Sequence, residues 1–475
     1  MPAIAQVPIA PSSLERFRPV LGNDFSQVER AIATARRMLA GRVIWHVNST
    51  ARGGGVAEML QSLLAYTRGA GVDARWVTIV GDARFFEITK RIHNHLHGAE
   101  GDGGEIGASE RATYERALAA SAEELVGMVD NKDIVYLHDP QTAGLTEALR
   151  SVVGHLVWRC HVGLDNPNEV ARQAWAFLRP YIEQADAYVF SRRAFAWEGL
   201  DDGKAWIIPP SIDAFSAKNQ ELGPEAVKAI LARAGLIEGD GGAGVFVRQN
   251  GSQGRVDRAA ELDQEAPIPD DAPLVVQVSR WDGLKDPSGV LRCFADRCRH
   301  PGAHLLLAGP SVAEVADDPE GAGVLAEIRA QRAELSADLR RRVHLASLPM
   351  DDLEENAAIV NAIQRRADVV LQKSLAEGFG LTVAEAMWKA RPVIASRIGG
   401  IQDQIQHGES GLLIDPRDLG ATAAAIDGLL DDPARARALG AAARERVRGS
   451  FLGTRDLIQH MELIGTLLSG GNRSR

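Results

Sequence analysis

The stretch DVVLQKSLAEGFGLTVAEAMWKARPVIA, residues 368–395, decides how the chain folds. It opens on a short strand, Asp368–Leu371, and passes through a loop holding Gly378 and Gly380. It then enters a helical segment carrying Thr382 and Glu385 and ends on a second strand, Pro392–Ala395. Strand, helix, strand is the repeating unit of a parallel sheet wrapped by helices. The glycines let the backbone turn close to a ligand, and Thr382 is expected to begin the helix as its N-cap. The first N–H groups of that helix then suit a phosphate. Glu377 and Glu385 flank the loop. They can bracket a sugar nucleotide, one accepting hydrogen bonds from hexose hydroxyls and the other from ribose hydroxyls.

The same alternation extends in both directions. Upstream in the second half, strands are expected at Leu274–Ser279, His304–Ala308 and Val343–Leu345, and downstream at Gly411–Ile414. The first half has its own set at Arg42–Asn48, Ala74–Val80, Asp133–Leu137, His155–Cys160, Ala187–Phe190 and Ala205–Ile208. Between them run segments such as Val56–Arg68, whose Val56, Met59, Leu60, Leu63 and Leu64 share one helical face. A chain of 475 residues exceeds one hydrophobic core, and two successive α/β series imply two domains. The join is expected after Pro209-Pro210-Ser211-Ile212-Asp213. That gives a first domain 1–213, rejoined by a C-terminal helix at 454–470, and a second domain 214–453. Residues 236–273, glycine-rich and then acidic, read as a partly mobile surface insertion, and the GGNRSR end as disordered.

Composition narrows the function. Hydrophobic residues make up 45% and charged residues 24%, as in globular proteins, and the net charge of -10 excludes nucleic-acid binding through bulk charge. Cys160, Cys293 and Cys298 form no disulfide framework and have no partners at zinc spacing. No apolar run is long enough to span a bilayer, and MPAIAQVPIAPSSLERF lacks the pattern of a signal peptide, so a cytoplasmic location is expected. His93 and His97 lie one helical turn apart, but no acidic or cysteine partner makes them a metal site, and no Asp-x-Asp pair stands ready for a divalent cation.

Three more groups of residues fall at expected strand exits. Asn48-Ser49-Thr50-Ala51-Arg52-Gly53-Gly54-Gly55 joins the first strand to a helix; it is either a phosphate loop or a tight turn without a ligand. Arg280 and Lys285, in VSRWDGLKD, can grip a diphosphate from two sides, or form a solvated charged loop. His138-Asp139-Pro140 and His161 end two strands of the first half, where a satisfied core histidine is the competing reading.

Taken together, these motifs resemble a known family. EGFGLTVAEAMWKARPVIASRIGGIQDQI is similar to the donor-binding signature, Glu-seven residues-Glu, of the retaining glycosyltransferases of family four. WHVNSTARGGGVAEMLQSLL, FFEITKRIHNHLHG, YLHDPQTAGL, WRCHVGLDNPN and IIPPSID resemble the trehalose glycosyltransferring synthases within it, over roughly residues 40 to 465. The resemblance implies a GT-B fold, two facing Rossmann-like domains with a cleft between them. It implies transfer of glucose from a nucleoside diphosphate glucose to free glucose, reversibly and with retained configuration. Glu377, Arg280, Lys285 and His161 would be catalytic. Gly54, Gly55, Arg280, Lys285, Gly380, Leu381, Thr382 and Glu385 would bind the donor, Glu385 through the ribose and Glu377 through the glucose hydroxyls. His161 would lie beside the donor hexose, and Asp139 and Asn48 near the acceptor. No tightly bound cofactor and no metal in the site are implied; magnesium would act at most as a stimulant. The expected partners are the nucleotide sugar and glucose, with no nucleic acid and no membrane, and a homodimer is expected. Trehalose phosphorylase, a family-four transferase with another acceptor, and a catalytically silent sugar-nucleotide sensor are the alternatives.

Overall fold

A strand buried on both faces of a parallel sheet must be apolar on both. Ile134–His138, Leu274–Val278, Val369–Gln372 and Val393–Ser396 are buried at every position, although the first ends on a histidine and the third on a glutamine. In the computed structural model, which describes residues 2–51, 54–239, 242–312 and 319–470, such strands form two sheets, each the centre of one compact unit. The first unit is Met1–Ser211 with Gly453–Arg475, and the second is Ile212–Leu452.

The first sheet contains β1 (Ile4–Val7), β2 (Val43–Asn48), β3 (Asp73–Ile79), β4 (Ile134–His138), β5 (His155–Cys160), β6 (Ala187–Phe190) and β7 (Ala205–Ile207). Its order is β1-β3-β2-β4-β5-β6-β7. All pairings are parallel except β1 on β3. The chain leaves β2 toward β3 on one side and returns to β4 on the other. That reversal opens a crevice at the carboxyl ends of β2 and β4, the usual ligand position in such sheets. One face of the sheet carries Trp45, Val47, Val135, Leu137 and Trp158 into an apolar core with Phe85, Tyr114 and Leu178. The helix Gly453–Leu468 belongs to this unit; it packs on the helices Phe25–Met38 and Gly54–Gly69 and buries His460, Leu463 and Ile464.

The second unit has a short antiparallel pair, β8 (Val245–Val247) and β9 (Gln253–Arg255). Its main sheet comprises β10 (Glu261–Asp263), β11 (Leu274–Val278), β12 (His304–Pro310), β13 (Val343–Leu348), β14 (Val369–Gln372), β15 (Val393–Ser396) and β16 (Leu412–Ile414). The order is β10-β13-β12-β11-β14-β15-β16, parallel throughout except at β10. The reversal lies between β11 and β14, so the second crevice opens where Arg280 and Glu377 follow those strands.

The expected elements need three additions. Residues 236–273 were expected as a partly mobile surface insertion, and the described ones, 236–239 and 242–273, are tied to the second unit by hydrogen bonds and strand pairing. β10 pairs in register with Ser347, Ala346 and Leu345. Arg248 forms hydrogen-bonded ion pairs with Asp352 at 2.6 Å and Glu354 at 3.1 Å. The buried carboxylate of Glu355 accepts the backbone N–H groups of Asp257 and Arg258 at 2.6 Å each. The strand at His304 runs two residues and that at Val343 three residues beyond their expected ends, because Gly309 and Pro310 pair with Ser347 and Leu348. β1, a four-residue edge strand, carried no detectable alternation. Arg52, Gly53, Asp240, Gly241 and the final GNRSR lie outside the described residues.

Candidate active site

In the first unit, β2 delivers Asn48 to the carboxyl edge of the sheet, buried, with its amide NH2 donating to Thr50 O at 3.1 Å and its Oδ1 accepting Ser49 N at 2.8 Å. These bonds shape the turn into the helix Gly54–Gly69, so Gly54 and Gly55 occupy its first positions. Asp139 follows β4 directly. Its φ of 60° is a left-handed conformation that a residue with a side chain adopts only under local constraint. The constraint is visible: its Oδ1 accepts the backbone N–H of His161 at 2.7 Å, and its carbonyl accepts Trp158 Nε1 at 3.2 Å. Sequence reasoning named Asp139 and His161 separately, and the structure joins them. Burial pushes the Asp139 carboxyl up to about 7, against the pull of that N–H bond and of Arg159.

The same face holds His138, expected from its strand exit, and others that strand exits alone do not reveal. His46, Tyr136, His138 and Arg159 all project from it, since His46 pairs with Tyr136 and His138 with Arg159 in register. Burial, followed by neighbouring cations and imidazoles, holds His46, His138 and His161 well below the ordinary histidine value. His460 and Asp456 reach the same cluster from the C-terminal helix, His460 against Arg159 and Tyr136, and Asp456 3.8 Å from Arg159. A sequence signal for this face did exist: polar residues two apart, His46/Asn48, Tyr136/His138 and Arg159/His161, inside otherwise apolar strands.

In the second unit the loop after β14 is built by close backbone contact. Gly400 N–H donates to Gly378 O at 3.0 Å, and Gln404 Nε2 donates to the carbonyls of Phe379 at 2.5 Å and Gly380 at 3.2 Å. Gly399 has φ +46°, and a Cβ there would stand 1.7 Å from Glu377 O, so nothing larger than glycine fits. Lys285 Nζ lies 2.6 Å from Glu377 Oε2, with both side chains largely buried, and Ser374 Oγ reaches the same oxygen at 3.5 Å. The expected carboxylate and one expected cation are therefore one ion pair. Arg280, 54% exposed at its side chain, has Asp282 Oδ2 3.2 Å from Nη2.

Thr382 is not the N-cap. Gly380 takes that position with φ 85°, the helix runs Leu381–Trp388, and the Thr382 hydroxyl donates to Gln372 Oε1 at 3.0 Å. Glu385 is buried on this helix, with Lys218 Nζ 3.6 Å from its Oε1. Sequence reasoning missed the support beneath Lys285. Gln277, on β11, donates to Lys285 O at 2.8 Å and accepts Lys373 N at 2.9 Å, while the Lys373 ammonium pairs with Asp286. Asp286 has φ 47° and caps the next helix by accepting Gly289 N at 3.0 Å.

Among the described residues no group of three or more His, Cys, Asp or Glu side chains is placed to hold a metal ion, and no helix is long and apolar enough to cross a membrane. His93 and His97 bring their rings to 5.0 Å, with His97 at the helix C-cap.

Residues 46–197 match the family profile "Trehalose synthase, N-terminal domain", and residues 259–446 match "Glycosyl transferases group 1". The chain is 35% identical over 457 residues to a trehalose synthase of Pyrococcus horikoshii, covering 96% of both chains. It is 36% identical over 469 residues to one of Rubrobacter xylanophilus, covering 96% of this chain and 99% of that protein. A solved UDP-forming α,α-trehalose-phosphate synthase of Burkholderia xenovorans superposes with a TM-score of 0.66 at 16% identity, over 90% of this chain and 99% of that one. Two predominantly parallel seven-stranded sheets and such neighbours make this a GT-B glycosyltransferase fold. The chain belongs to the trehalose synthase family of group 1 glycosyltransferases and is a hexosyltransferase enzyme of trehalose chemistry.

Proposed function

We propose that the chain makes trehalose reversibly from a nucleoside diphosphate glucose and free glucose, retaining the configuration of the donor. The observation that carries this reading is the Lys285–Glu377 pair, seated against a glycine loop at the crevice of the second sheet. In a nucleotide sugar the hexose and the pyrophosphate meet at the anomeric carbon. A cation touching the hexose-binding carboxylate is therefore also within a bond or two of the first phosphate.

The difficult step is departure of the nucleoside diphosphate, with negative charge growing on the leaving phosphate and positive charge on the ring. Lys285 and Arg280 would neutralise that phosphate, and the N–H groups of Gly380, Leu381 and Thr382 would add oriented dipoles. Losing one such preorganised donor costs about 2.7–4 kcal/mol. Glu385, held deep in its helix, would take the ribose hydroxyls, and Glu377 the glucose hydroxyls. In the first unit Gly54 and Gly55 would approach the donor, His161 the transferred hexose, and Asp139 and Asn48 the acceptor. Retention would follow from substitution on one face of the sugar, with the departing phosphate oxygen taking the acceptor's proton. Glu377, already bonded to Lys285, orients and does not attack.

The deciding experiment is a panel of uridine, adenosine and guanosine diphosphoglucose with free glucose, the disaccharide linkage assigned by NMR. Trehalose from at least one donor is expected. Trehalose phosphorylase relatives, such as that of Pleurotus pulmonarius at 25% identity over 84% of this chain and 54% of that protein, define the competing outcome. Glucose 1-phosphate formed from trehalose and inorganic phosphate, with no product from any nucleoside diphosphate, would replace the proposed donor.

A further inference from the structure

Strand alternation ordinarily sends apolar side chains toward a covering helix; on one face of the first sheet it sends a row of rings. His46 and Tyr136 stack at 4.7 Å, 7° from parallel. His138 stacks beside His46 at 5.2 Å, and His161, just past β5, stacks on His138 at 5.4 Å. Two hydrogen bonds thread the imidazoles: His46 Nδ1 to His138 Nε2 at 2.9 Å, and His138 Nδ1 to His161 Nε2 at 3.1 Å.

A neutral imidazole has one N–H donor and one acceptor nitrogen. His138 uses both nitrogens, so it donates through one and accepts through the other. If it donates from Nδ1, His46 must donate to it from its own Nδ1, and His161, accepting at Nε2, must carry its proton on Nδ1. If the direction reverses, all three protons sit on Nε2. Either way the three rings share one tautomer. Only a charged ring would break the rule, and the surroundings oppose one. Arg159 and His460 face this cluster together with Tyr136, Asp139 and Asp456; burial first, then Arg159 and the neighbouring imidazoles, disfavours protonation of His46, His138 and His161, against the opposing pull of Asp456 on His46. His460 Nε2 meets Arg159 and stands 3.4 Å from Asp456 Oδ1, while its Nδ1 lies 3.2 Å from Tyr136 Oη. Asp456, which accepts the Ser211 hydroxyl at 3.3 Å, balances the Arg159 charge from 3.8 Å.

We infer that His46 and His138 are positioning residues for His161: they orient its ring and, through the shared tautomer, fix whether its Nδ1 donates to or accepts from a sugar hydroxyl. This rests on the proposed place of His161 beside the transferred hexose. Which nitrogen of an imidazole carries the proton is set by the bond the other makes, and here that bond reaches back two residues into the sheet.

The test begins with ¹⁵N NMR of the imidazoles in the full chain, without substrate, at neutral pH. His46, His138 and His161 are expected in one tautomer class; mixed tautomers or a doubly protonated ring among them would overturn the inference. His138→Phe preserves the stack and removes both nitrogens. It is expected to let His161 interconvert between tautomers and to lower kcat about tenfold, with KM for the nucleotide sugar within about twofold. His138→Gln, whose amide both donates and accepts, is expected to recover most of that loss. An unchanged His161 spectrum and kcat in His138→Phe would overturn the proposal. Should that variant not fold, His46→Phe is read in the same way. The substrate-free spectrum involves no donor, so its outcome is independent of the donor panel.

Discussion

The two sheets meet the same problem, polar groups at a buried crevice, with opposite chemistry. The first crevice holds three hydrogen-bonded imidazoles and a carboxyl whose proton is retained to about pH 7, beside a single charged pair, Arg159 with Asp456 at 3.8 Å. The second holds charges in pairs, Lys285 with Glu377 and Lys373 with Asp286. Neutral donors and acceptors suit the hydroxyls of a free sugar, which carry no charge to compensate. A cation already paired with a carboxylate suits a glycosyl pyrophosphate, because Lys285 can turn to the phosphate while the sugar hydroxyls donate to the Glu377 carboxylate it releases. The contrast supports the proposed place of the acceptor at the first unit and of Lys285 at the donor phosphates, on physical grounds separate from any likeness to relatives.

The sharpest way to break that contrast is to remove the charge of the second crevice. Lys285→Ala and Glu377→Gln are each expected to lower kcat by about 10²–10³, the first by removing the cation proposed to meet the charge growing on the phosphate and the second by removing the carboxylate proposed to orient the glucose. The double variant should lose much less than the product of the two, because the partners act as a unit. Steady-state kinetics on the three proteins checks this, and NMR of the residual product should still show the parent's anomeric configuration. A sugar trapped covalently on Glu377 would turn the orienting carboxylate into a nucleophile. Gly399→Ala comes next. Its methyl group would sit on Glu377 O, so the loop must move, and a loss of about 3 kcal/mol in chemical denaturation is expected, with reduced kcat.

Much of this division could be read in advance, for a physical reason. Parallel strands buried on both faces are short apolar runs, and the glycines and charged residues that follow them, Gly378, Gly380, Arg280 and Lys285, mark the ligand end directly. What stayed hidden depends on register or on chain return. His46 and Tyr136 share a face only once β2 is paired with β4. His460 joins them from 324 residues beyond Tyr136, on a helix that returns to the first unit. Lys373 and Asp286, 87 residues apart, look like surface charges until the pairing of β11 with β14 brings their loops together. β8, β9 and β10, three residues each, are too short to show a period at all.

Asp139 is the one group in the neutral crevice able to acquire charge near physiological pH, so it tests whether neutrality matters. Its carboxyl is raised from 3.8 to about 7 by burial. Between those values the folded protein holds a proton that the unfolded chain has released, so this group lowers stability as pH rises through that window, and the penalty persists above it. Asp139→Asn keeps an acceptor for His161 N and removes the charge. Relative to the parent it should be near parity at pH 4 and more stable by about 2 kcal/mol at pH 8, measured by urea denaturation at both pH values. A pH-independent difference would mean that the carboxylate ionises in place without cost, and that the first crevice tolerates charge after all.

The smallest effect is expected where charge serves the scaffold alone. Arg248 anchors the insertion to Asp352 and Glu354 through hydrogen bonds of 2.6 and 3.1 Å, with about a quarter of its side chain exposed. The guanidinium depresses the Asp352 carboxyl to about 2, so the stabilisation is present above the ordinary aspartate range and is lost as pH falls toward that value. Arg248→Ala should cost about 1 kcal/mol near neutrality, less the screening that its exposure allows, and nothing at acid pH. Its kcat should match the parent's, because the Arg248 guanidinium bonds to Asp352 and Glu354 and to neither Lys285 nor Glu377. If Arg248→Ala instead impaired turnover as Lys285→Ala does, charge in the second unit would be shaping the site through the scaffold, and the assignment of its paired ions to the donor phosphates would lose its physical basis.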